Sequence, residues 1–344
     1  MNKLHPLYQS DLNNILDATN LKLLDGKTLL VTGATGLIGT QLIDALMLYN
    51  RRGGDVRLIV AGRDRERLMR RFDDYSTDEH LRFLQQDVMR PFPADVQADV
   101  IIPLASNTHP MAYSQQPVET MLVNLKGAEY ALEMAQRCHA VVLYPSTVEV
   151  YGNARDGDTF TENYTGSLNL SNSRACYTES KRASEALCQS YSAECGVRVR
   201  IARLSRVFGP SMKITDTKAS SQFILKALHS ENIVLKSEGT QYFSYTYVTD
   251  AVSALLYILL YGEDGMAYNV ANEACNVHLC DFAQACAEVV GTKVVFDLPT
   301  EAERRGYSVA TTAVLDNSRL KSIGWRPQYT FKDAVKRTIS ILRG

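Results

Sequence analysis

Tyr177 and Lys181 stand four residues apart in the run Tyr177-Thr178-Glu179-Ser180-Lys181. On a helix this spacing puts a phenol and an ammonium on one face, one turn apart. A cation beside a phenol favours the phenolate, each unit of pKa lowering being worth about 1.4 kcal/mol. A phenolate nearer neutrality can take the proton of a hydroxyl while hydride leaves the same carbon. The pair alone occurs on ordinary helices. Its context is the upstream string Tyr144-Pro145-Ser146-Thr147-Val148-Glu149-Val150-Tyr151-Gly152. This string reads as lying past the carboxyl end of a strand, where open parallel sheets gather their active sites. Ser146 or Thr147 is placed there to hydrogen-bond the reacting oxygen beside Tyr177. Glu149 has two readings, an acid or base aimed at the substrate or a carboxylate that fixes the loop.

Hydride needs an acceptor, and the chain supplies a place for one. Thr32-Gly33-Ala34-Thr35-Gly36-Leu37-Ile38-Gly39 follows the apolar run Thr28-Leu29-Leu30-Val31 and leads into helically spaced apolar residues from Gln41 to Leu48. Strand, glycine turn and helix start in that order build a pocket for a dinucleotide pyrophosphate. Gly33 allows the sharp turn, Gly36 clears room for the phosphates and Gly39 lets the helix pack close. Thr35, Leu37 and Ile38 line the same turn. The helix N-terminus offers free N–H groups and the positive end of its dipole. After the second strand the chain reads Gly62-Arg63, where an acidic residue would bind the ribose of NAD. A guanidinium suits a 2′-phosphate, so Arg63 favours NADP within an NAD(P) expectation. Asp87 and Val88 after the third strand are placed for the adenine, and Leu104, Ala105 and Ser106 after the fourth line the cofactor. Leu204 closes the set at the end of a later strand. Asn124 reads either as a brace for the active-site backbone or as an ordinary packing asparagine.

These residues need a scaffold, and the pattern of elements predicts one. Residues 1–24 precede the first strand. Leu4, Leu7, Leu12, Ile15 and Leu16 in that stretch predict one amphipathic helix, packed on the main domain or on a partner subunit. Strands at 56–61, 81–86, 100–104, 141–144 and 197–204 alternate with helices that include 118–138 and 177–194. Such alternation implies right-handed crossovers and an α/β fold with a Rossmann-type doubly wound parallel sheet. We read 25–204 as the dinucleotide-binding domain. Residues 205–344 read mainly as a smaller mixed α/β substrate-binding lobe, with segments returning to the sheet. Helices at 220–228 and 280–290 and a strand at 265–270 fall in that lobe.

Bulk properties exclude several classes. The 344 residues carry a formal net charge of -1, which leaves no electrostatic footprint for nucleic acid. Arg65, Arg67, Arg70 and Arg71 read as a solvated helix face. The apolar run 254–261 is too short to span a bilayer, and the first residues lack the apolar segment of a signal peptide. Seven scattered cysteines without a C-x-x-C pair read as reduced thiols of a cytoplasmic protein. The six histidines show no ligand spacing, so no metal is expected.

Taken together the residues resemble the extended branch of the short-chain dehydrogenase/reductase family, the nucleotide-sugar epimerases and dehydratases. The likeness covers nearly all the chain beyond residue 25. Gly33/Gly36/Gly39, Asp87, Asn124, Ser146-Thr147 and Tyr177/Lys181 carry it. So do Arg203-Leu204-Ser205-Arg206-Val207-Phe208-Gly209-Pro210, Tyr247-Val248-Thr249-Asp250 and Gly324-Trp325-Arg326-Pro327. Within the family, 147–152 and 174–182 are most similar to UDP-glucuronate decarboxylases, which implies sugar-facing roles for Thr147, Glu149, Tyr177 and Lys181. Three positions depart from the pattern. Val148 stands where decarboxylases carry serine and 4,6-dehydratases a catalytic aspartate. Phe243 stands where many relatives carry a diphosphate-binding arginine, leaving Arg206, Arg304 and Arg305 as candidate cations. Arg63 is the third, since self-recycling relatives usually hold NAD.

The resemblance implies oxidation of a sugar hydroxyl at C4, then epimerisation or decarboxylation of a nucleotide-sugar with no net redox. An NADPH-dependent net reductase of a keto-sugar and a non-catalytic dinucleotide sensor are the alternatives. A homodimer is expected through helices 118–138 and 177–194, whose apolar faces equally suit intradomain packing.

Overall fold

The computed structural model describes residues 2–108, 110–155, 157–297 and 312–344. Its strands are β1 (Thr28–Thr32), β2 (Arg57–Gly62), β3 (Leu81–Gln85), β4 (Val100–Pro103), β5 (Val141–Thr147), β6 (Thr159–Phe160), β7 (Arg198–Leu204), β8 (Arg206–Phe208), β9 (Ile233–Leu235), β10 (Tyr242–Tyr247), β11 (Ala267–Val270), β12 (Asn276–His278), β13 (Val294–Phe296) and β14 (Thr312–Leu315). The helices used below are α1 (Pro6–Ala18), α2 (Leu37–Arg51), α3 (Arg65–Arg71), α4 (Pro110–Gln115), α5 (Pro117–Cys138), α6 (Ala175–Cys195), α7 (Ala219–Leu228), α8 (Val248–Tyr261) and α9 (Leu279–Val290).

Seven strands form one parallel sheet in the order β11-β7-β5-β4-β1-β2-β3. The order reverses between β1 and β4, the switch point at which ligands bind in doubly wound sheets. Alternate residues of each strand feed two cores, as the period of two requires. Leu29, Val31, Val60 and Ile102 join one cluster with Leu42, Leu46 and Leu255. Leu30, Ile59, Ile101 and Val142 join the other with Leu132 and Cys188. β11, which falls in the stretch read as the smaller lobe, is a returning segment and extends the sheet beside β7. Beyond β8, a second sheet runs β12-β10-β14-β6, with β8 paired to β10, and β9 pairs β13 separately. These flank the carboxyl end of β7.

The N-terminal helix packs on its own chain. Asp11 is fully buried and accepts hydrogen bonds from Tyr247 at 2.5 Å, Tyr329 at 2.9 Å and Arg337 at 2.8 Å. Tyr8 donates to the buried Asp44 of α2 at 2.6 Å. These bonds tie α1 to the Rossmann helices and to the C-terminal helix Phe331–Arg343.

One expected boundary moves. Strand β5 continues past residue 144 and ends at Thr147, paired with β7 from Val141↔Arg198 to Thr147↔Leu204. Pro145 argues against a strand because it cannot donate to the ladder. However, β4 pairs with β5 only at Val141 and Val142. Farther along, β5 has a neighbour on one side only, and there a residue without an N–H is tolerated.

Candidate active site

The switch point is built around the first glycine. Gly33 has φ +64°, and a Cβ there would lie 2.7 Å from the Leu104 carbonyl carbon and the Ala105 nitrogen. Only glycine lets this turn lie against the loop after β4. A Cβ on Gly39 would meet Ala34 Cα and Gly33 O at 2.7 Å, so the third glycine closes the first turn of α2 onto the loop. Gly36 is the residue before α2 and provides no side-chain cap. Leu37 and Ile38 open α2, where backbone N–H groups have no partner within the helix. The cradle of turn and helix start fits the pyrophosphate of a dinucleotide. Ala105 N donates to Thr32 Oγ1 at 3.1 Å, which fixes the floor of the cradle.

The remaining expected cofactor positions ring the same edge. Asp87 accepts from Met89 N at 3.0 Å and so shapes the turn after β3. Val88 lies against α5, where a Cβ on Gly127 would come within 3.7 Å of it. Arg63 is largely exposed and pairs with Glu119 at 3.5 Å. Leu204 ends β7 beside Thr147. Among the described residues, the Asn124 side chain bonds two hydroxyls and no backbone group of the site. Its Oδ1 accepts from Ser106 Oγ at 2.7 Å and its Nδ2 donates to Ser180 Oγ at 2.9 Å. Asn124 is 3% exposed and joins the loop after β4 to the helix that carries Tyr177 and Lys181.

Tyr177 and Lys181 lie one turn apart on α6, both buried. Burial pushes the Tyr177 phenol up to about 12; a hydrogen bond with Thr147 lowers it, the Glu149 charge raises it and a hydrogen bond with Tyr113 lowers it. Here the expectation that Lys181 depresses the phenol is corrected. Lys181 Nζ donates to Pro145 O at 2.8 Å and lies 4.8 Å from the centre of the Tyr144 ring. Burial lowers the ammonium to about 8, against the opposing charge of Glu185. Lys181 is thus held by the end of β5, and the groups acting on the phenol are Thr147, Glu149 and Tyr113.

Thr147 faces this centre and also accepts from Glu149 N at 3.3 Å, capping the short helix Val148–Tyr151. Ser146 does not join it. Consecutive strand residues point to opposite sides, and Ser146 Oγ donates to the buried Glu185 carboxylate. Glu185 is bound in turn by Arg203, at 2.7 Å from Nη2. Ser146 therefore belongs to an internal network behind the site, and Thr147 is the member of the pair that faces Tyr177. Glu149 is half exposed and lies 3.5 Å from Arg206 Nη2. Arg206 lies over the Phe243 ring, 3.7 Å from its centre. Arg304 and Arg305 lie outside the described residues.

Sequence reasoning missed Tyr113. It lies on α4, stacked on Tyr177 with ring centres 4.7 Å apart. The signal was its place just after the loop at the carboxyl end of β4, the edge where the site was expected. Among the described residues, no group of three or more His, Cys, Asp or Glu side chains could hold a metal ion. No described helix is long and apolar enough to cross a membrane.

Comparison with known proteins agrees with this geometry. Residues 29–271 match the NAD dependent epimerase/dehydratase family. The chain is similar to UDP-glucuronic acid decarboxylase 1 of Xenopus tropicalis, 31% identical over 323 residues, covering 93% of this chain and 73% of that protein. UDP-glucuronic acid decarboxylase 6 of Arabidopsis thaliana is also 31% identical, covering 89% of this chain and 86% of its own. Among solved structures, UDP-glucuronic acid 4-epimerase from Bacillus cereus, in complex with UDP-glucuronic acid and NAD, shares the fold. Its TM-score is 0.77 at 18% identity, over 92% of this chain and 98% of that one.

Proposed function

Because this chain belongs to the NAD dependent epimerase/dehydratase family, we propose that it is an NAD(P)-dependent enzyme that modifies a nucleotide-activated sugar. Hydride transfer at a sugar hydroxyl, at C4, opens the way to decarboxylation or epimerisation. The observation that carries this reading is the meeting of Tyr177 with Thr147 at the end of β5, across the switch point from the Gly33 cradle. A bound nicotinamide dinucleotide supplies the hydride acceptor and, in a self-recycling cycle, the donor. The chain supplies the rest. Tyr177 takes the hydroxyl proton, and Thr147 orients the phenol and the substrate oxygen. Lys181, whose Nζ donates to Pro145 O, would hold the cofactor ribose. Val148 is buried and apolar at the position where a dehydratase needs its acid, which supports decarboxylation or epimerisation over 4,6-dehydration.

The residues following β7 supply the sugar side, with Arg206 in contact with Glu149. The apolar residues Val118 and Leu122, exposed on α5, support association of two copies through that helix.

A second reading has one observation in its favour. Arg63 at the end of β2 suits a 2′-phosphate, and net reduction with free NADPH uses that cofactor. Incubation with NAD(P) and a panel of UDP- and dTDP-sugars, UDP-glucuronate among them, separates the readings. A new sugar signal by NMR and mass spectrometry without net change at 340 nm supports self-recycling chemistry. Stoichiometric loss of reduced cofactor supports the reductase. No new product from any sugar rejects both.

A further inference from the structure

Arg206 is held in an unusual way. One face of its guanidinium lies 3.7 Å from the centre of the Phe243 ring. Its Nη2 lies 3.5 Å from Glu149 Oε1, with the arginine side chain 26% exposed and the glutamate 48% exposed. Its Nη1 is buried and has no hydrogen-bond partner among the described residues. A planar cation with a fork of N–H donors is suited to two oxygens of one anion. Here the guanidinium lies over the ring, and one of its terminal nitrogens has no partner among the described residues. An orphaned buried N–H costs stability unless a partner arrives. The partner it has, a half-exposed carboxylate at 3.5 Å, is a weak pair that is readily exchanged. Glu149 lies two residues beyond Thr147, so this cation borders the centre where Tyr177 acts.

We propose that Arg206 is the anion-binding residue of the substrate pocket and that Glu149 is its placeholder, displaced when an anionic group of the substrate arrives. The inference rests on the nucleotide-sugar reading above for the identity of that anion, which is either the diphosphate or a carboxylate on the sugar. Phe243 provides the flat surface that keeps the guanidinium in one plane, since a cation over an aromatic face is held without being neutralised. Exchange of Glu149 for a ligand anion couples binding to the release of a carboxylate beside Tyr177.

The test titrates NAD-saturated protein with UDP, UDP-glucose, UDP-glucuronate and inorganic pyrophosphate by calorimetry. Arg206→Met keeps the stem over Phe243 and removes the charge. It is expected to weaken UDP binding by about 10-fold or more with an unchanged melting curve. Arg206→Lys, which keeps charge without the fork, is expected to fall between. Glu149→Gln removes the competing anion and is expected to bind UDP several-fold tighter, and that gain vanishes in the double variant. Equal weakening of all three nucleotide ligands assigns Arg206 to the diphosphate. Weakening confined to UDP-glucuronate assigns it to the sugar carboxylate. Wild-type protein that binds pyrophosphate through Arg206 but none of the UDP compounds keeps the anion site and rejects the nucleotide-sugar reading. A folded Arg206→Met protein that binds every probe like wild type overturns the inference. So does Glu149→Gln protein that loses affinity as Arg206→Met does, or wild-type protein that binds no probe.

Discussion

Tyr113 lies flat on Tyr177, with ring centres 4.7 Å apart and planes inclined by 20°. Its hydroxyl also hydrogen-bonds the Tyr177 phenol and lowers the pKa that burial raises. The short helix that carries Tyr113 is tied to α6 through a contact from Cys176 Sγ to Tyr113 O at 3.8 Å. The phenol proposed as base is therefore tuned by a second phenol and a threonine, both acting as donors to its oxygen.

Tyr113→Phe keeps the stack and removes the donor. The phenolate loses a hydrogen bond, so the Tyr177 pKa rises and the ascending limb of turnover against pH moves to higher pH. One hydrogen bond of ordinary strength corresponds to a loss of about 2- to 10-fold in kcat at neutral pH. At pH values above the limb the variant recovers the wild-type rate. A parallel drop at every pH would mean that Tyr113 serves packing alone.

Ser146→Ala separates the two hydroxyls at the end of β5. Ser146 donates to the buried Glu185 carboxylate, and its removal is expected to cost about 1.5–3 kcal/mol of stability in urea unfolding. Turnover by the folded variant is expected to stay near wild type. Thr147→Ala is expected to lose turnover by about 100-fold or more, with about 0.5–2 kcal/mol of stability lost through the cap on Val148–Tyr151. A Ser146→Ala protein with normal stability and impaired kcat would return Ser146 to the site.

The contrast between these two residues shows what the sequence made legible. The glycine turn could be read because Gly33 and Gly39 meet backbone at 2.7 Å, a demand of geometry that one residue type satisfies. The Tyr177/Lys181 pair could be read because helical spacing fixes which side chains share a face. The extent of β5 could not, because the tolerance of Pro145 depends on β4 stopping short, a property of the sheet and not of the strand. Without the true end of β5, the opposite orientations of Ser146 and Thr147 were hidden. Lys181 was expected to act on Tyr177, but the carbonyl of Pro145 competes for its proton donors, a tertiary contact 36 residues away. Tyr113 and the stack of Arg206 on Phe243 arise the same way, from elements brought together only by the fold.

Lys181 gives the site a pH signature in stability. Burial lowers its pKa in the folded state to about 8, against 10.5 for the ordinary side chain. Below about pH 8 both folded and unfolded states carry the proton, and the folded state bears the full cost of the buried charge. Between the two values the unfolded state binds more protons, so stability rises with pH across that window. Lys181→Met removes the titration. Unfolding of both proteins near pH 7 and near pH 10 is expected to show wild type gaining on the variant as pH rises. A difference that stays flat across the window would mean that Lys181 is neutral or normally solvated at both ends.

Arg63 carries the expected preference for NADP over NAD. Its partner Glu119 is 3.5 Å away, and the arginine side chain is 65% exposed. Exposed pairs of this kind contribute about 0–1 kcal/mol, so the guanidinium can exchange Glu119 for a phosphate at little cost. A phosphate offers two charged oxygens to the fork, a stronger set of bonds than one distant carboxylate oxygen. Arg63→Asp replaces the cation with the carboxylate that suits a ribose 2′-hydroxyl. The variant is expected to bind NADP about 10-fold or more weakly and NAD as well as or better than wild type. Titration of both dinucleotides by quenching of intrinsic fluorescence measures the ratio. If the ratio of NADP to NAD affinity is the same in variant and wild type, Arg63 does not contact the ribose. Glu119→Gln, which frees Arg63 from its partner, is expected to move the ratio the other way, toward NADP.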